Sequence, residues 1–256
     1  MKIELPQKKL KATRKNPRKL IIFGKPKAGK TTILSHLDNC LILDLEKGSE
    51  YVDATSINVK QLAEDNKTTP LDVLKSTIKE LKAVKDKIGR YPYKYIAIDT
   101  VTELEEMALP IAADMYRSQP IGSSWAGSDV RKLPNGAGYG YLRDAFFFIL
   151  NQVELVCDTI ILVGHLKDKM IDKEGKDMTE RALDLTGKTS RLVAADADAI
   201  GYIYREDNNT ILNFAASESL EAGARPDHLR GKQIIVASSN EDGVLTVDWS
   251  GIFIPE

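Results

Sequence analysis

A glycine-rich stretch near the amino terminus constrains this chain more than any other feature. Residues 24–32 read Gly-Lys-Pro-Lys-Ala-Gly-Lys-Thr-Thr, which matches the phosphate-binding pattern G-x-x-x-x-G-K-[ST]. Glycines let the backbone turn tightly around an anion, and the N–H groups of the loop and of the next helix donate to phosphate oxygens. An apolar run precedes the loop, so the context is strand, loop and helix. A plain glycine-rich turn in that context is the alternative interpretation.

The loop and a later strand predict a nucleotide site with a metal. Lys30 is expected to reach the β- and γ-phosphates, and the Thr31 hydroxyl is expected to hold Mg²⁺. Residues 95–99 read Tyr-Ile-Ala-Ile-Asp, a strand of Walker B form whose Asp99 would complete the metal shell. The predicted nucleotide-binding residues are Gly24, Lys25, Pro26, Lys27, Ala28, Gly29, Lys30, Thr31 and Thr32.

Length and charge limit the possible classes of protein. The chain has 256 residues and a formal net charge of −1, which predicts one α/β domain with added elements and no overall attraction to polyanions. A nucleic-acid surface would therefore have to be local. Cys40 and Cys157 each lie beside an apolar run and are expected to be buried, reduced thiols. Without a signal peptide or a membrane-length apolar run, we expect a soluble, cytoplasmic protein with no membrane partner.

Periodicity predicts a mainly parallel sheet flanked by helices. Strands are expected at residues 20–23, 40–46, 95–100 and 159–165, and helices at residues 30–37, 70–88 and 141–156. Residues 51–69 look like polar turns, and Thr102 looks like the start of a capping box for a helix interrupted at Pro110. Residues 168–180 look like an exposed loop or hairpin.

The two ends of the chain differ in character from the middle. Residues 1–19 form a basic amino-terminal arm, either a solvated lead-in or a segment that contacts nucleic acid or a neighbouring subunit. Residues 20–256 form the main domain. Within it, residues 198–256 are expected to be an antiparallel carboxyl-terminal extension, with a strand pair turning at residues 207–209 and a hairpin turning at Gly243.

Residues 118–140 are rich in glycine, proline and serine, and such long irregular stretches are usually functional or mobile. Aromatic rings there would stack on bases and basic side chains would meet phosphates. The nucleic-acid candidates are Trp125, Arg131, Lys132, Tyr139, Tyr141 and Arg143. The alternative is that the tyrosines cap the helix near Tyr141 and that Trp125 is buried.

Taken together, these residues resemble a RecA-type P-loop ATPase. Glu46, on the strand after the P-loop helix, resembles the glutamate that activates water in RecA and RadA-like recombinases. His165, at the end of the fourth strand, resembles their polar γ-phosphate sensor. Residues 21–32, 95–100, 163–167 and 222–231 are similar to short phage-encoded RecA-like ATPases, which include single-strand annealing recombinases. The likeness runs from Leu20 to Phe253. At this length we expect no extra DNA-binding domain of the kind that larger recombinases carry, which favours annealing or a mediator role over strand exchange.

The resemblance implies a RecA-like P-loop NTPase core that uses ATP and Mg²⁺, with Glu46, Lys30 and His165 as catalytic residues. It implies a homo-oligomer, ring or filament, that binds single-stranded DNA in phage recombination, annealing or replication, with a single-strand binding protein as a further partner. Candidates for a cation supplied to a neighbour's site are Lys188, Arg191 and Arg225. The alternatives are an ATP-driven switch acting on a protein partner, a small-molecule kinase and a nucleotide-binding structural protein.

Overall fold

The structure, a computed structural model, contains one mixed sheet with helices on both faces. It describes residue 5, residues 7–173 and residues 176–255, and for residues 169, 171–173 and 176–178 the backbone alone. In these residues the strands are β1 (Lys19–Gly24), β2 (Cys40–Asp44), β3 (Ser56–Asn58), β4 (Tyr95–Asp99), β5 (Thr159–Lys173), β6 (Lys176–Leu183), β7 (Ala199–Glu206), β8 (Asn209–Asn213), β9 (Gly223–Ala224), β10 (Gln233–Ser239) and β11 (Leu245–Val247). The helices are α1 (Lys30–Ser35), α2 (Val59–Asp65), α3 (Pro70–Ile88), α4 (Val101–Met107), α5 (Leu109–Arg117), α6 (Gly138–Glu154) and α7 (Thr189–Asp196).

The middle of the sheet is parallel. In the described residues the strand order is β11-β10-β8-β7-β1-β5-β4-β2-β3, with β6 paired to β5 and β9 paired to β7. The strands from β7 to β3 in this order run parallel, whereas β8, β10 and β11 are antiparallel. This confirms the predicted fold class, a mainly parallel α/β sheet with an antiparallel extension near the carboxyl terminus.

Strand register brings the ends of four strands together. Gly24 of β1 lies opposite His165 of β5, and Asp44 of β2 lies opposite Asp99 of β4. We call this side of the sheet the carboxyl edge. Parallel strands require their carboxyl ends to share one edge, and open α/β sheets bind ligands there.

Two hydrophobic cores enclose the sheet, because successive side chains of a strand point to opposite faces. Phe23 belongs to the core that packs against α3, α4, α5 and α6. Ile22 belongs to the other, which contains residues of α1 and of the carboxyl-terminal extension. There the Trp249 indole donates a hydrogen bond of 2.9 Å to the carbonyl of Ile33. The extension therefore covers the face of the sheet that carries α1.

Helix α3 forms as its end signals predict. The Thr69 side chain accepts a hydrogen bond from the backbone N–H of Asp72 at 3.2 Å, and Pro70 occupies the first turn. Gly89 ends the helix with φ of 72°, a left-handed conformation that glycine adopts without steric cost.

The prediction of polar turns over residues 51–69 is wrong, because this segment contains β3 and α2. β3 is only three residues long and forms by pairing with β2, with Leu43 opposite Ile57. α2 then begins at once, and the Asn58 side chain accepts from the backbone N–H of Gln61 at 2.9 Å. A short strand that depends on a distant partner leaves little local signal.

The predicted cap at Thr102 is also wrong. Thr100 is the N-cap of α4, and its hydroxyl accepts from the backbone N–H of Glu103. Thr102 lies within the helix and donates 3.0 Å to the carbonyl of Asp184. The predicted interruption is confirmed, since α4 ends at Met107 and Pro110 lies in the first turn of α5.

The glycine-rich segment 118–140 has short 3-10 turns at Pro120–Gly122, Val130–Lys132 and Pro134–Gly136, and it packs against neighbouring helices. Trp125 meets Tyr116 of α5 edge-on, with ring centroids 5.2 Å apart. Val130 and Leu133 are buried in the core. The start of α6 lies so close to this segment that a Cβ on Gly138 would stand 1.7 Å from the Val130 carbonyl oxygen.

The basic arm joins the domain at its last residues. Its described residues up to position 15 are exposed. The Asn16 amide then makes hydrogen bonds of 2.7 and 2.9 Å with the backbone of Ile254. Residues 1–4 and residue 6 of the arm lie outside the described residues, as do residues 174 and 175 at the turn of the predicted loop or hairpin 168–180 and residue 256 of the predicted extension.

The predicted burial of both cysteines is confirmed, and neither forms a disulfide. Burial raises the pKa of each thiol to about 12.

The predicted carboxyl-terminal strands are confirmed too, and Asp207 and Gly243 have positive φ where the chain turns. In the described residues, no helix combines the length and the apolar character needed to cross a bilayer.

Substitutions of Gly138 and Gly140, in the first turn of α6, test whether segment 118–140 packs against this helix. We expect Gly138→Ala to lower the free energy of unfolding by about 1–3 kcal/mol, because its methyl group would overlap the Val130 carbonyl. Gly140→Ala should be neutral or stabilising by up to about 1 kcal/mol, since nothing lies within 4 Å of its added Cβ. Urea denaturation of both variants gives the comparison. Equal effects would mean that the segment does not pack on α6.

Candidate active site

The P-loop wraps from the end of β1 to the start of α1. Gly24 has no room for a side chain, since a Cβ there would lie 2.4 Å from the Ile203 carbonyl oxygen on β7. Gly29 has φ of 95°, which side chains disfavour. The Lys30 ammonium donates to the carbonyls of Gly24 at 3.2 Å and Lys25 at 2.9 Å. Burial lowers the pKa of Lys30, while the charges of Asp99 and Glu46 act in the opposite direction.

The two predicted metal-binding residues are in direct contact. The Thr31 hydroxyl donates 2.6 Å to Oδ2 of Asp99. Asp99 is 4% exposed. Its burial raises its pKa, against the opposing effect of the Thr31 hydrogen bond. Hydroxyl and carboxylate oxygens suit Mg²⁺, which typically takes one or two protein oxygens besides phosphates and water. The described residues contain no separate cluster of His, Cys, Asp or Glu able to hold a metal.

A buried carboxylate that the sequence analysis did not select supports the loop after β2. Asp44 is fully buried and accepts from the backbone N–H groups of Glu46, Gly48 and Ser49 at 3.0, 3.1 and 2.8 Å. It also accepts from the Ser49 hydroxyl at 2.6 Å. These bonds fix the turn that carries Glu46 to the carboxyl edge. The sequence did contain a signal for this role, because Asp44 is an acid at a strand end and Gly48-Ser49 follows closely.

The structure brings Glu46 and His165 together. His165 Nε2 lies 3.0 and 3.1 Å from the two carboxylate oxygens of Glu46, and the Thr100 hydroxyl donates 2.5 Å to Oε1. Burial alone would raise the pKa of Glu46, but the hydrogen bonds from His165 and Thr100 leave it below its usual range. The same contact raises the pKa of His165 above its usual value. The pair therefore favours a carboxylate beside an imidazolium.

These groups line one cavity of about 410 Å³ at the carboxyl edge. Besides the P-loop, Glu46, Asp99 and His165, its walls include Tyr51 and Arg205, which the sequence analysis missed. A larger, mainly apolar groove of about 750 Å³ lies at the β3 edge of the sheet between α2 and α3. That groove contains none of the predicted site residues. The chemistry therefore belongs to the smaller cavity.

The strand that carries His165 continues beyond the site. β5 passes into an antiparallel pair with β6, from Leu166 opposite Leu183 to the strand ends, so the hairpin alternative for residues 168–180 is confirmed for the described backbone. The base of this hairpin is attached to α4, because the buried Glu105 carboxylate accepts from the backbone N–H and hydroxyl of Thr186. The backbone N–H of Asp184 also donates 3.0 Å to the His165 carbonyl.

Most of the predicted nucleic-acid candidates are engaged within the protein. Tyr141 packs against Tyr116, and so does Trp125. The Arg131 guanidinium pairs with Glu106 and Asp129, and Arg143 pairs with its neighbour Asp144. Lys132 is exposed, and Tyr139 is 45% exposed at the start of α6.

The three predicted trans-acting cations are not among the residues that line the P-loop cavity. Lys188 and Arg191 are exposed at and within the first turn of α7. Arg225 pairs with Asp198 at 3.1 Å and donates to the Ala195 carbonyl at 2.9 Å. Its neighbour Ala224 pairs with Ala199, at the start of β7, so Arg225 is at the opposite edge of the sheet from the P-loop.

The Glu46–His165 contact predicts the titration of one histidine. In Glu46→Gln the midpoint of His165 should fall, because the carboxylate that stabilises the imidazolium is gone. Histidine NMR resonances measure this directly. The rings of His36 and His228 contact Thr32 and Ile252 instead and provide internal references. An unchanged His165 midpoint would contradict the contact.

The same contact predicts how stability depends on pH. The contribution of His165 is fully present below its unfolded pKa of about 6.5 and is lost as pH rises through the raised folded pKa. That of Glu46 is present above its unfolded pKa and is lost as pH falls through the lowered folded pKa. The stability difference between the wild type and Glu46→Gln should therefore shrink above neutral pH, as chemical denaturation at several pH values would measure.

A comparison with models of protein families identifies the family of this chain. The model of the AAA domain family matches residues 16–226, which is most of the chain. Among curated proteins no match was found. A solved structure titled "Crystal structure of the RadB recombinase" is similar, with 14% identity over 89% of this chain and 90% of that one and a TM-score of 0.39. The family model covers most of the chain and shows that the chain belongs to the AAA domain family, and the mainly parallel sheet and the P-loop at its carboxyl edge agree with that membership.

Proposed function

We propose that this protein is a Mg²⁺-dependent ATP hydrolase that binds single-stranded DNA as an oligomer. The observation that carries the proposal is the convergence of Lys30, Thr31, Asp99, Glu46 and His165 on one cavity. Phosphoryl transfer needs little covalent chemistry from a protein, so positioning and charge neutralisation provide most of the catalysis. The motif resemblance supports a role in phage DNA recombination, annealing or replication.

Each residue has a distinct role in the proposed reaction. Lys30 neutralises the phosphates, and Thr31 and Asp99 hold Mg²⁺, which when bound neutralises charge on the phosphate oxygens. Glu46 accepts a hydrogen bond from the attacking water and takes its proton. As the water oxygen bonds to the γ-phosphorus, the bond from that phosphorus to the β-phosphate breaks, which gives ADP and phosphate.

His165 gives the site a way to respond to the triphosphate. With Nε2 directed at Glu46, both carboxylate oxygens are engaged. A γ-phosphate offers the imidazolium a second anion, so we propose that His165 turns from Glu46 to the γ-phosphate. This movement leaves Glu46 free to accept from water and couples catalysis to occupancy of the γ-phosphate position.

The course of α6 supports DNA binding near the ATP site. Glu154, at the end of this helix, pairs with Lys19 at the start of β1, so α6 runs antiparallel to the central strands. With 17 residues it spans about 25 Å, and its start, with Tyr139 and the nearby Lys132, is directed toward the carboxyl edge. The β5–β6 hairpin leaves the same edge, so both segments extend from the side of the sheet that carries the P-loop, and we propose that they contact the DNA.

We propose that the basic arm and the predicted trans-acting cations serve the oligomer. Lys8, Lys9 and Lys11 are exposed and suit phosphates of bound DNA or acids of a neighbouring subunit. Exposed Lys188 and Arg191 are available to a neighbour's site, where a cation would stabilise the charge that develops on the phosphates.

Substitution of the proposed catalytic carboxylate tests the reaction. Glu46→Gln should lower kcat for ATP by about a hundredfold or more and leave ATP binding intact. Glu50→Gln is the matched control, because Glu50 is exposed in the adjacent 3-10 turn and does not line the cavity. Phosphate release is measured with and without single-stranded DNA. Hydrolysis that survives in Glu46→Gln would refute this role, and hydrolysis indifferent to DNA would favour a switch acting on a protein partner.

A second substitution tests the DNA surface. Tyr139→Ala should weaken single-stranded DNA binding, because a stacked base contributes about 1–3 kcal/mol. Tyr139→Phe keeps the ring and should bind as the wild type does. Fluorescence anisotropy with a labelled oligonucleotide, Mg²⁺ and a non-hydrolysable ATP analogue provides the measurement. An equal loss of DNA affinity in both variants would exclude stacking. If the wild-type protein binds no single-stranded DNA at low salt, the proposal of DNA binding is wrong.

A further inference from the structure

Arg205 is located above the P-loop on the side that the proposed mechanism does not use. β7 runs parallel to β1, with Ile203 opposite Gly24, so the residues after Ile203 extend beside the loop. A Cβ on Gly29 would lie 3.4 Å from Nη2 of Arg205 and 3.8 Å from its Nε. The guanidinium therefore stands over the residue that precedes Lys30, and it lines the same cavity as Lys30 and Glu46.

The Arg205 guanidinium is unpaired within the part of the chain that the structure describes. Among the residues that the structure describes, none makes a hydrogen bond or an ion pair with this side chain. The two carboxylates of the cavity have other partners, since Asp99 accepts from Thr31 and Glu46 from His165 and Thr100. With no carboxylate partner among the described residues, the Arg205 guanidinium has N–H donors available to a ligand in the cavity, and their fork geometry would fit phosphate oxygens.

Strand order determines which part of the ligand Arg205 can meet. β5 and β7 flank β1 on opposite sides. Glu46, Asp99 and His165 are on the β5 side, and the phosphate that water attacks must lie beside Glu46. Arg205 is on the β7 side, so it faces the other end of a triphosphate chain held by the loop.

We propose that Arg205 binds the α- and β-phosphates of the nucleotide in the same subunit, which both ATP and ADP possess. This inference rests on the proposed function, since it assumes that the P-loop holds a nucleotide. Arg205 would then contribute to affinity for both nucleotides and not to the chemical step. It differs from a cation supplied by a neighbour, which would act on the reaction and depend on protein concentration.

Binding of a fluorescent ADP analogue tests the proposal. Arg205→Ala should raise the Kd of ADP and of ATP by about tenfold, by the same factor for both, with kcat at saturating ATP changed by less than about twofold. Arg205→Lys keeps the charge without the fork of N–H groups, so its Kd values should lie between those of the wild type and those of Arg205→Ala. Arg90→Ala, an exposed arginine between α3 and β4, removes one positive charge away from the cavity and should bind as the wild type does.

Competition by inorganic tripolyphosphate locates the contact. If Arg205 binds phosphates, tripolyphosphate should lose affinity for Arg205→Ala by the same factor as ADP. Unchanged tripolyphosphate affinity would assign Arg205 to the nucleoside and overturn the proposal, as would unchanged ADP binding, an effect confined to ATP, or a large fall in kcat. If the wild-type protein binds nucleotide but does not hydrolyse it, the proposed function is wrong and this inference is unaffected. If the wild-type protein binds no nucleotide, both proposals are wrong.

Discussion

The site depends on a constraint of the sheet, that parallel strands must end at a common edge. Since β1, β2, β4 and β5 are parallel, the loops that follow them converge although they are far apart in sequence. Polar groups at this edge then line one cavity: the phosphate loop after β1, Glu46 after β2, Asp99 at the end of β4 and His165 within β5. The apolar strands do no chemistry, but their register determines the distances at which these groups meet.

Two buried carboxylates, those of Asp44 and Asp99, lie side by side at this edge and differ in their hydrogen-bond partners. Asp44 accepts four hydrogen bonds from its own loop, which satisfies its charge within the protein. Asp99, its partner in the strand register, accepts from Thr31. The charge of Asp44 adds to burial in raising the pKa of Asp99. A cation beside Thr31 would oppose both effects, so the arrangement suits a structural acid next to an acid for a metal.

Features with a local cause could be predicted from the sequence, and features with a distant cause could not. The ends of α3 follow from Thr69, Pro70 and Gly89, which act within one turn of the backbone. The P-loop and the Walker B strand are local patterns as well. In contrast, β3 exists because it pairs with β2, and Thr100 rather than Thr102 caps α4 because the chain leaves β4 at Asp99.

The same division applies to the site. Lys30, Thr31 and Asp99 could be named from motifs. The contact of Glu46 with His165, in contrast, joins the loop after β2 to β5, and β4 separates these two strands in the sheet. Asp44 acts on its own loop, where three backbone N–H groups turn inward. Arg205 carries no motif at all, and only the pairing of β7 with β1 brings it to the loop. Charged residues at strand ends become interpretable once the strand order is known.

The continuity of β5 has a consequence for how distant ligands communicate. One strand carries His165 at the cavity and then forms the hairpin with β6, and the Glu105 carboxylate fixes the base of that hairpin to α4. A ligand that holds the hairpin in one position would alter the free energy of turning His165. Because coupling free energies are reciprocal, the triphosphate would alter the affinity of the hairpin for that ligand by the same factor. Nucleotide and hairpin ligand would then sense each other along a single backbone, without rearrangement of the sheet.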